Sequence, residues 1–71
     1  MNYAAIVQFV RDDRVRYTGA ICIQSPTIEG IEDEFSNAFY DMPIARRKHS
    51  DDTCWVTVFS PVGEFVMDFQ L

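Results

Sequence analysis

Four segments of the chain have residue patterns that are typical of β-strands. Residues 3–10 are apolar on both faces, which is typical of a strand covered on both sides. Residues 15–24 alternate more clearly, and Gly19 interrupts them, which marks a bulge or a close approach of another segment. Residues 53–60 and 64–71 complete the four predicted strands. The last of them alternates strictly, which predicts one wet face and one dry face, the latter formed by Phe65, Met67, Phe69 and Leu71.

Two short polar segments between these strands predict hairpin turns. The charged residues 11–14 separate the first pair of strands, as expected for a tight connection. Residues 60–63 read Ser-Pro-Val-Gly, with proline second and glycine fourth, which is the preference of a type I turn. The sequence therefore predicts two hairpins.

The segment between the hairpins has the spacing of an amphipathic helix. Ser25 followed by Pro26 is typical of a helix start, and Pro43 after Met42 predicts its end. Apolar residues recur at intervals of three and four, which predicts one helix of about four turns. The stripe consists of Ile28, Ile31, Phe35, Ala38, Phe39 and Met42.

The element order is ββαββ, and 71 residues allow a single domain over residues 1–71. We predict an α+β fold: a four-stranded, mainly antiparallel sheet with one helix packed on one face. One helix cannot cover both faces, yet the first and third strands are apolar on both. A second copy of the chain or a partner is expected to cover the other face, unless the basic loop after the helix folds over it.

Composition narrows the class of protein. The chain is 48% hydrophobic, but so small a domain is marginally stable as a monomer. It contains no apolar run of about 18 residues, and its first residues do not resemble a signal peptide. Cys22 and Cys54 lie in apolar strands, where buried, reduced thiols are the ordinary outcome. We therefore expect a cytoplasmic protein without a membrane segment.

The sequence offers little for catalysis or metal binding, so we do not expect an enzyme. His49, Ser50 and Asp51 are neighbours in sequence, whereas a catalytic triad converges from separate elements. Asp51 and Asp52 with Asp41 could hold a hard cation, but nothing in the sequence fixes their geometry. The sequence lacks a Cys-x-x-Cys pair, a second histidine and a glycine-rich phosphate loop. No cofactor is expected.

Charge is the stronger functional signal. The net charge is −5 and the pI about 4.5, and the acidic residues crowd around the predicted helix. A negative surface of this kind steers association with a basic partner, although acidic residues also favour solubility and the start of a helix. The predicted partner-binding residues, with Tyr40 as an aromatic anchor, are Glu29, Glu32, Asp33, Glu34, Tyr40 and Asp41.

An alternative site is the basic patch after the helix. Three of the six basic residues are consecutive, Arg46, Arg47 and Lys48, and clustered cations contact phosphates. The acidic net charge opposes direct nucleic-acid binding, because binding domains are generally basic. These cations could equally pair with the neighbouring carboxylates.

In length, acidity and α+β layout the chain resembles the small acidic proteins with which phages and plasmids block host machinery, including anti-CRISPR and anti-restriction proteins. It also resembles immunity proteins and antitoxins. The resemblance implies an inhibitor of a basic or nucleic-acid-handling protein, and it carries over no functional residue. The alternatives are a homodimer assembled through the open sheet face and a weak nucleic-acid binder that uses the basic loop.

Overall fold

A computed structural model describes residues 2–71. Four strands form one antiparallel sheet in the order β2-β1-β3-β4, and one α-helix packs on one face of it. The predicted α+β fold, with the element order ββαββ, is confirmed. The strands are β1 (Asn2–Arg11), β2 (Arg14–Gln24), β3 (Thr53–Phe59) and β4 (Phe65–Gln70).

The helical segment is shorter and more divided than the predicted four-turn helix. The α-helix α1 spans Ile31–Ala38, followed by two 3₁₀ helices, η1 (Phe39–Asp41) and η2 (Pro43–Arg47). The prediction of a loop from Ile44 to Asp52 is therefore wrong for residues 44–47. Pro43 occupies the first position of η2, where proline is well tolerated because its missing N–H would have no partner there.

Hydrogen bonds of two side chains explain the late start of α1. The buried Ser25 hydroxyl donates to the Thr27 carbonyl at 2.7 Å, and the Thr27 hydroxyl accepts the Gly30 N–H at 3.1 Å. Such local bonds satisfy the backbone outside a helix and compete with it. Residues 25–29 therefore form turns, α1 begins after Gly30, and Ile28 is about half exposed instead of joining the core stripe.

The hydrophobic core lies between α1 and one face of the sheet, which we call the inner face. One of the two alternating sets of β1 is buried, and so are Cys54, Val56 and Val58 of β3. The structure thereby settles which face the helix covers, which the sequence left open. From the helical side the buried residues are Ile31, Phe35, Phe39 and Ile44. From β1 they are Tyr3, Ala5, Val7 and Phe9.

The β1–β2 hairpin turns through Asp12 and Asp13, which have φ angles of 55° and 61°. Positive φ at both central residues is the geometry of a type I′ turn, which matches the twist of the flanking strands. A register shift lies between Phe9 and Val10. The interruption predicted at Gly19 is a close approach and not a bulge, since an added Cβ would lie 2.7 Å from the Ile44 side chain.

The β3–β4 hairpin confirms the predicted turn and corrects one face assignment. The Gly63 N–H donates to the Ser60 carbonyl at 2.9 Å, and Gly63 has a φ of 86°. A register shift between Val58 and Phe59 then pairs Phe59 with Phe65. Phe65 therefore leaves the predicted dry side and is 61% exposed on the opposite, open face of the sheet.

We predict that Asp13→Gly raises the free energy of unfolding by about 0.5–1 kcal/mol. Glycine adopts positive φ without the steric cost that an L-residue has there. Urea denaturation would measure the change. The control is Asp33→Gly in α1, where glycine should lower stability by about as much. Equal destabilisation by both substitutions would contradict the turn geometry.

Candidate functional site

Five carboxylates surround the exposed side of the helical segment. We call this set, together with Tyr40, the acidic surface. Sequence analysis predicted all six of these residues as partner-binding, and the structure exposes every one of them: Glu29, Glu32, Asp33, Glu34, Tyr40 and Asp41.

The helix orients this surface away from the sheet. Ile31 and Phe35 are buried against the inner face, so the three acidic residues between them point outward. The predicted helix included Glu29, but this residue lies in the turn before α1. Asp41 lies in η1. At 1.5–2 Å per residue, the stretch from Glu32 to Asp41 covers roughly 15 Å.

None of these carboxylates is neutralised by the rest of the described chain. The ion pairs found within residues 2–71 are Arg11–Asp52 and Arg16–Asp12, and they involve other acids. The imidazole of His49 lies beside Asp51, which is also outside the acidic surface. The last turn of α1 carries no basic residue. The acidic surface therefore presents uncompensated negative charge to solvent.

Tyr40 stands at one end of this surface. Its side chain is 76% exposed, and its ring meets the buried Phe39 ring edge to face at 5.1 Å between centroids. A ring that is supported by the core but open to solvent loses little conformational freedom on binding. Tyrosine in this setting is a common anchor of protein interfaces.

The basic patch is held by separate contacts. Arg47 lies over the Tyr17 ring, 5.6 Å from its centroid, and Lys48 donates to the His49 carbonyl at 3.4 Å. Arg46 is exposed. Because two of the three cations are directed to different neighbours, the structure does not gather them into one array. Nucleic-acid binding through them stays a prediction.

A buried carboxylate fixes the segment before β3. Asp52 accepts the His49 N–H at 2.8 Å, and its Oδ1 lies 3.5 Å from Arg11 Nη1. This pairing joins the β1–β2 hairpin to the loop. By contrast, the suggested triad residues His49, Ser50 and Asp51 are exposed on one turn and do not converge from separate elements.

The two cysteines occupy opposite faces of the sheet and are both free. Cys54 is buried in the core, where burial raises its thiol pKa to about 11. Cys22 is exposed, so the expectation that both thiols are buried is wrong for this residue. Its strand is an edge strand, and the alternation of β2 places it on the open face.

The two central strands place no charge on the open sheet face, whereas Asp68 of β4, which pairs with Thr57, lies there. Residues 2–11 and 53–59 place only apolar and uncharged polar side chains there, and Trp55 is 43% exposed. Val15, opposite Val10 in the register, is 52% exposed. Sequence analysis predicted that this face needs a cover, and among residues 2–71 neither the basic segment nor the helix covers it.

No protein-family model matches the chain, and neither a curated protein nor a solved structure matches it significantly. Among residues 2–71, no helix is long and apolar enough to cross a membrane, and no group of three potential ligands is gathered around a metal position. The surfaces themselves therefore carry the functional inference. They include a cleft between β2 and η2 that the sequence pattern did not reveal.

We predict that Asp52→Ala lowers the free energy of unfolding by about 1–3 kcal/mol. The substitution leaves the His49 N–H without its acceptor and removes a charge-assisted contact with Arg11. Asp51→Ala, at an exposed neighbour, should change stability by less than about 0.5 kcal/mol. Denaturant titrations of both variants measure the difference. Similar values for both would show that Asp52 does not anchor the segment.

Proposed function

We propose that the chain is a small protein-binding module whose acidic surface docks on a basic protein, such as one that handles nucleic acid. The observation that carries this proposal is that five exposed carboxylates have no cationic partner within residues 2–71. A basic partner would supply the missing counter-charges. Long-range attraction between the two would also accelerate and orient their encounter.

Helix stability alone does not account for the acidic surface. Glu32, Asp33 and Glu34 in the first turn of α1 are favoured by the helix dipole. Asp41, however, lies in η1, beyond the carboxyl end of α1, so the dipole of α1 does not account for it. Its position beside the exposed Tyr40 is consistent with a contact with a partner.

The resemblance to phage and plasmid proteins that block host machinery suggests that the module is an inhibitor. In such an inhibitor, the acidic surface would occupy the region of the target that normally contacts phosphates. The chain would then act by competition and would need no catalytic group. The small size and the negative charge of the chain support an inhibitor of this kind. Its target can be identified by capture from lysate on the immobilised chain.

We predict that reversal of Glu32, Asp33 and Glu34 to lysine abolishes capture of one dominant basic protein from nuclease-treated bacterial lysate. A matched control reverses Asp51, Glu64 and Asp68, which are exposed elsewhere, and changes the net charge equally. With the purified target, the helix variant should bind at least about tenfold more weakly.

Lysines in the first turn of α1 also oppose the helix dipole, so thermal unfolding of each variant must be recorded. A milder variant, Glu32→Gln with Asp33→Asn and Glu34→Gln, removes the charge with little strain. Undiminished binding by this folded variant would contradict the proposal. Equal loss in the control variant would show that total charge matters and that the acidic surface does not.

A second candidate function is self-association through the open sheet face. Its support is the exposure of Trp55 and Phe65 on a face whose two central strands contribute no charge. The molecule measures 33 × 23 × 17 Å, so its broad side is of the same order as the roughly 800 Å² that each partner of a standard interface buries. Depletion of charge is the compositional mark of an interface core.

We predict that the chain sediments at twice its 8.2 kDa mass and that Trp55→Glu makes it monomeric. Burying an unpaired carboxylate in an apolar interface is strongly unfavourable. The control is Val62→Glu, since Val62 is 81% exposed but lies in the β3–β4 turn. A monomeric wild type at the highest concentration tested would contradict this second function.

A further inference from the structure

An open cleft of about 460 Å³ lies between β2 and η2. On one side it contacts Tyr17 and residues 19–22 of β2, and on the other side Met42, Pro43, Ile44 and Arg47. Consecutive side chains of a strand point to opposite faces of the sheet. Tyr17, Gly19 and Ile21 pair with the buried residues of β1 and so share the inner face. Because β2 is the terminal strand of the sheet, the cleft lies where this face meets the outer edge of the strand.

That edge carries free main-chain hydrogen-bonding groups. β2 is the terminal strand of the sheet and pairs only with β1. Within the described residues, no backbone hydrogen bond other than those of this ladder involves residues 17–23. An edge strand of this kind can accept a further strand, with side-chain pockets adding specificity. The cleft is therefore lined by the groups that an extended peptide requires.

Close packing holds the two walls together. Ile44 is buried in the core, and its Cδ1 lies only 2.7 Å from the position that a Cβ on Gly19 would occupy. With glycine at this position, the Ile44 side chain packs directly on the backbone of β2, and a larger residue would require that side chain to shift. A core contact therefore joins the two walls of the cleft.

Arg47 gives the cleft its charge preference. Its guanidinium carbon lies 5.6 Å from the Tyr17 ring centroid, and Tyr17 stacks in turn on the buried Phe9 at 5.5 Å. No carboxylate within residues 2–71 pairs with Arg47, although the chain has 11 acidic residues. A guanidinium held in this way is suited to a carboxylate from outside.

We propose that this cleft binds an extended, acidic peptide segment of another protein by strand addition to β2. A carboxylate of the segment contacts Arg47, and an apolar side chain packs between Met42 and Ile44. This site is separate from the acidic surface. The cleft selects an acidic ligand, whereas the acidic surface selects a basic one.

A second copy of the chain fits the cleft less well. Pairing of two β2 edges would bring residues 14–24 of the copy against Arg47, and this segment contains two arginines and no acidic residue. The guanidinium would find no carboxylate in that segment. Charge complementarity therefore favours an acidic peptide over edge-to-edge dimerisation.

The test is selection of a displayed library of random octapeptides on the immobilised wild-type chain. We expect enrichment of sequences with an acidic residue and alternating apolar residues. A synthetic copy of the most enriched peptide should bind Arg47→Gln at least about tenfold more weakly than the wild type, the loss of about one charge-assisted pair. Arg46→Gln, a neighbouring exposed cation outside the cleft, should bind it as the wild type does.

Cys22 reports where the peptide binds, because it lines the cleft and is exposed. Cys54 is buried with a raised thiol pKa of about 11, so alkylation near neutral pH modifies Cys22 first. At constant protein concentration, saturating peptide should slow Cys22 alkylation several-fold. It should also slow hydrogen exchange of amides in residues 19–22.

Three outcomes would overturn the proposal. Selection could enrich no peptide, the enriched peptide could bind Arg47→Gln as tightly as the wild type, or saturating peptide could leave both Cys22 alkylation and the exchange of amides in residues 19–22 unchanged. Protection of Cys22 that depends on protein concentration alone would instead assign the covered surface to a second copy. Loss of binding in a folded helix-reversal variant would place the peptide on the acidic surface.

Discussion

The packing of two helical phenylalanines onto the inner face of the sheet is the contact on which the other surfaces depend. Phe39 meets Phe9 at 6.2 Å, and Phe35 meets Phe69 at 5.7 Å. The two helical rings are themselves 5.5 Å apart. Aromatic rings in such offset and edge-to-face contacts bury large areas with defined geometry. This chain of rings extends from β1 to β4, so the position and rotation of the helical segment follow from it.

Once these rings are buried, the opposite side of the helical segment faces solvent and its residues are polar. Residues between Ile31 and Phe35 must face solvent, and here they are acidic. Tyr40 follows Phe39 directly and remains outside while touching the buried ring. The same packing brings Ile44 against Gly19, which forms the cleft beside β2. The acidic surface and the cleft are therefore both consequences of how one short helical segment rests on the sheet.

Alternation in the sequence was sufficient to predict the four strands and which residues of β1 and β3 share a face, because the side chains of a strand have a strict period of two. Both faces of these strands are apolar, so alternation did not indicate which face the helix covers. It failed where one inserted residue resets that period. The register shift near Phe59 moved Phe65 to the open face, and a bulge leaves no clear mark in composition.

The length of the helix was overestimated because Ile28 fits the spacing of the stripe, whereas the hydrogen bonds of Ser25 and Thr27 hold that segment in turns. The acidic surface was predictable, since exposed charge is read directly from the residues. The cleft was not, because its walls are distant in sequence and meet only through the contact between Gly19 and Ile44.

A single short helix covers only one face of a four-stranded sheet, and this limit shapes what so small a protein can do. The acidic surface lies on the outer side of the helix layer, whereas Trp55 and Phe65 lie on the opposite side of a molecule only 17 Å thick. Two copies joined through their open faces would direct both acidic surfaces outward, away from the interface. Such a dimer would present two docking surfaces at a fixed separation, and a target with two basic regions would bind it with increased avidity. Self-association and partner binding are thus compatible on this fold, because the layer that forms the core also keeps the two surfaces apart.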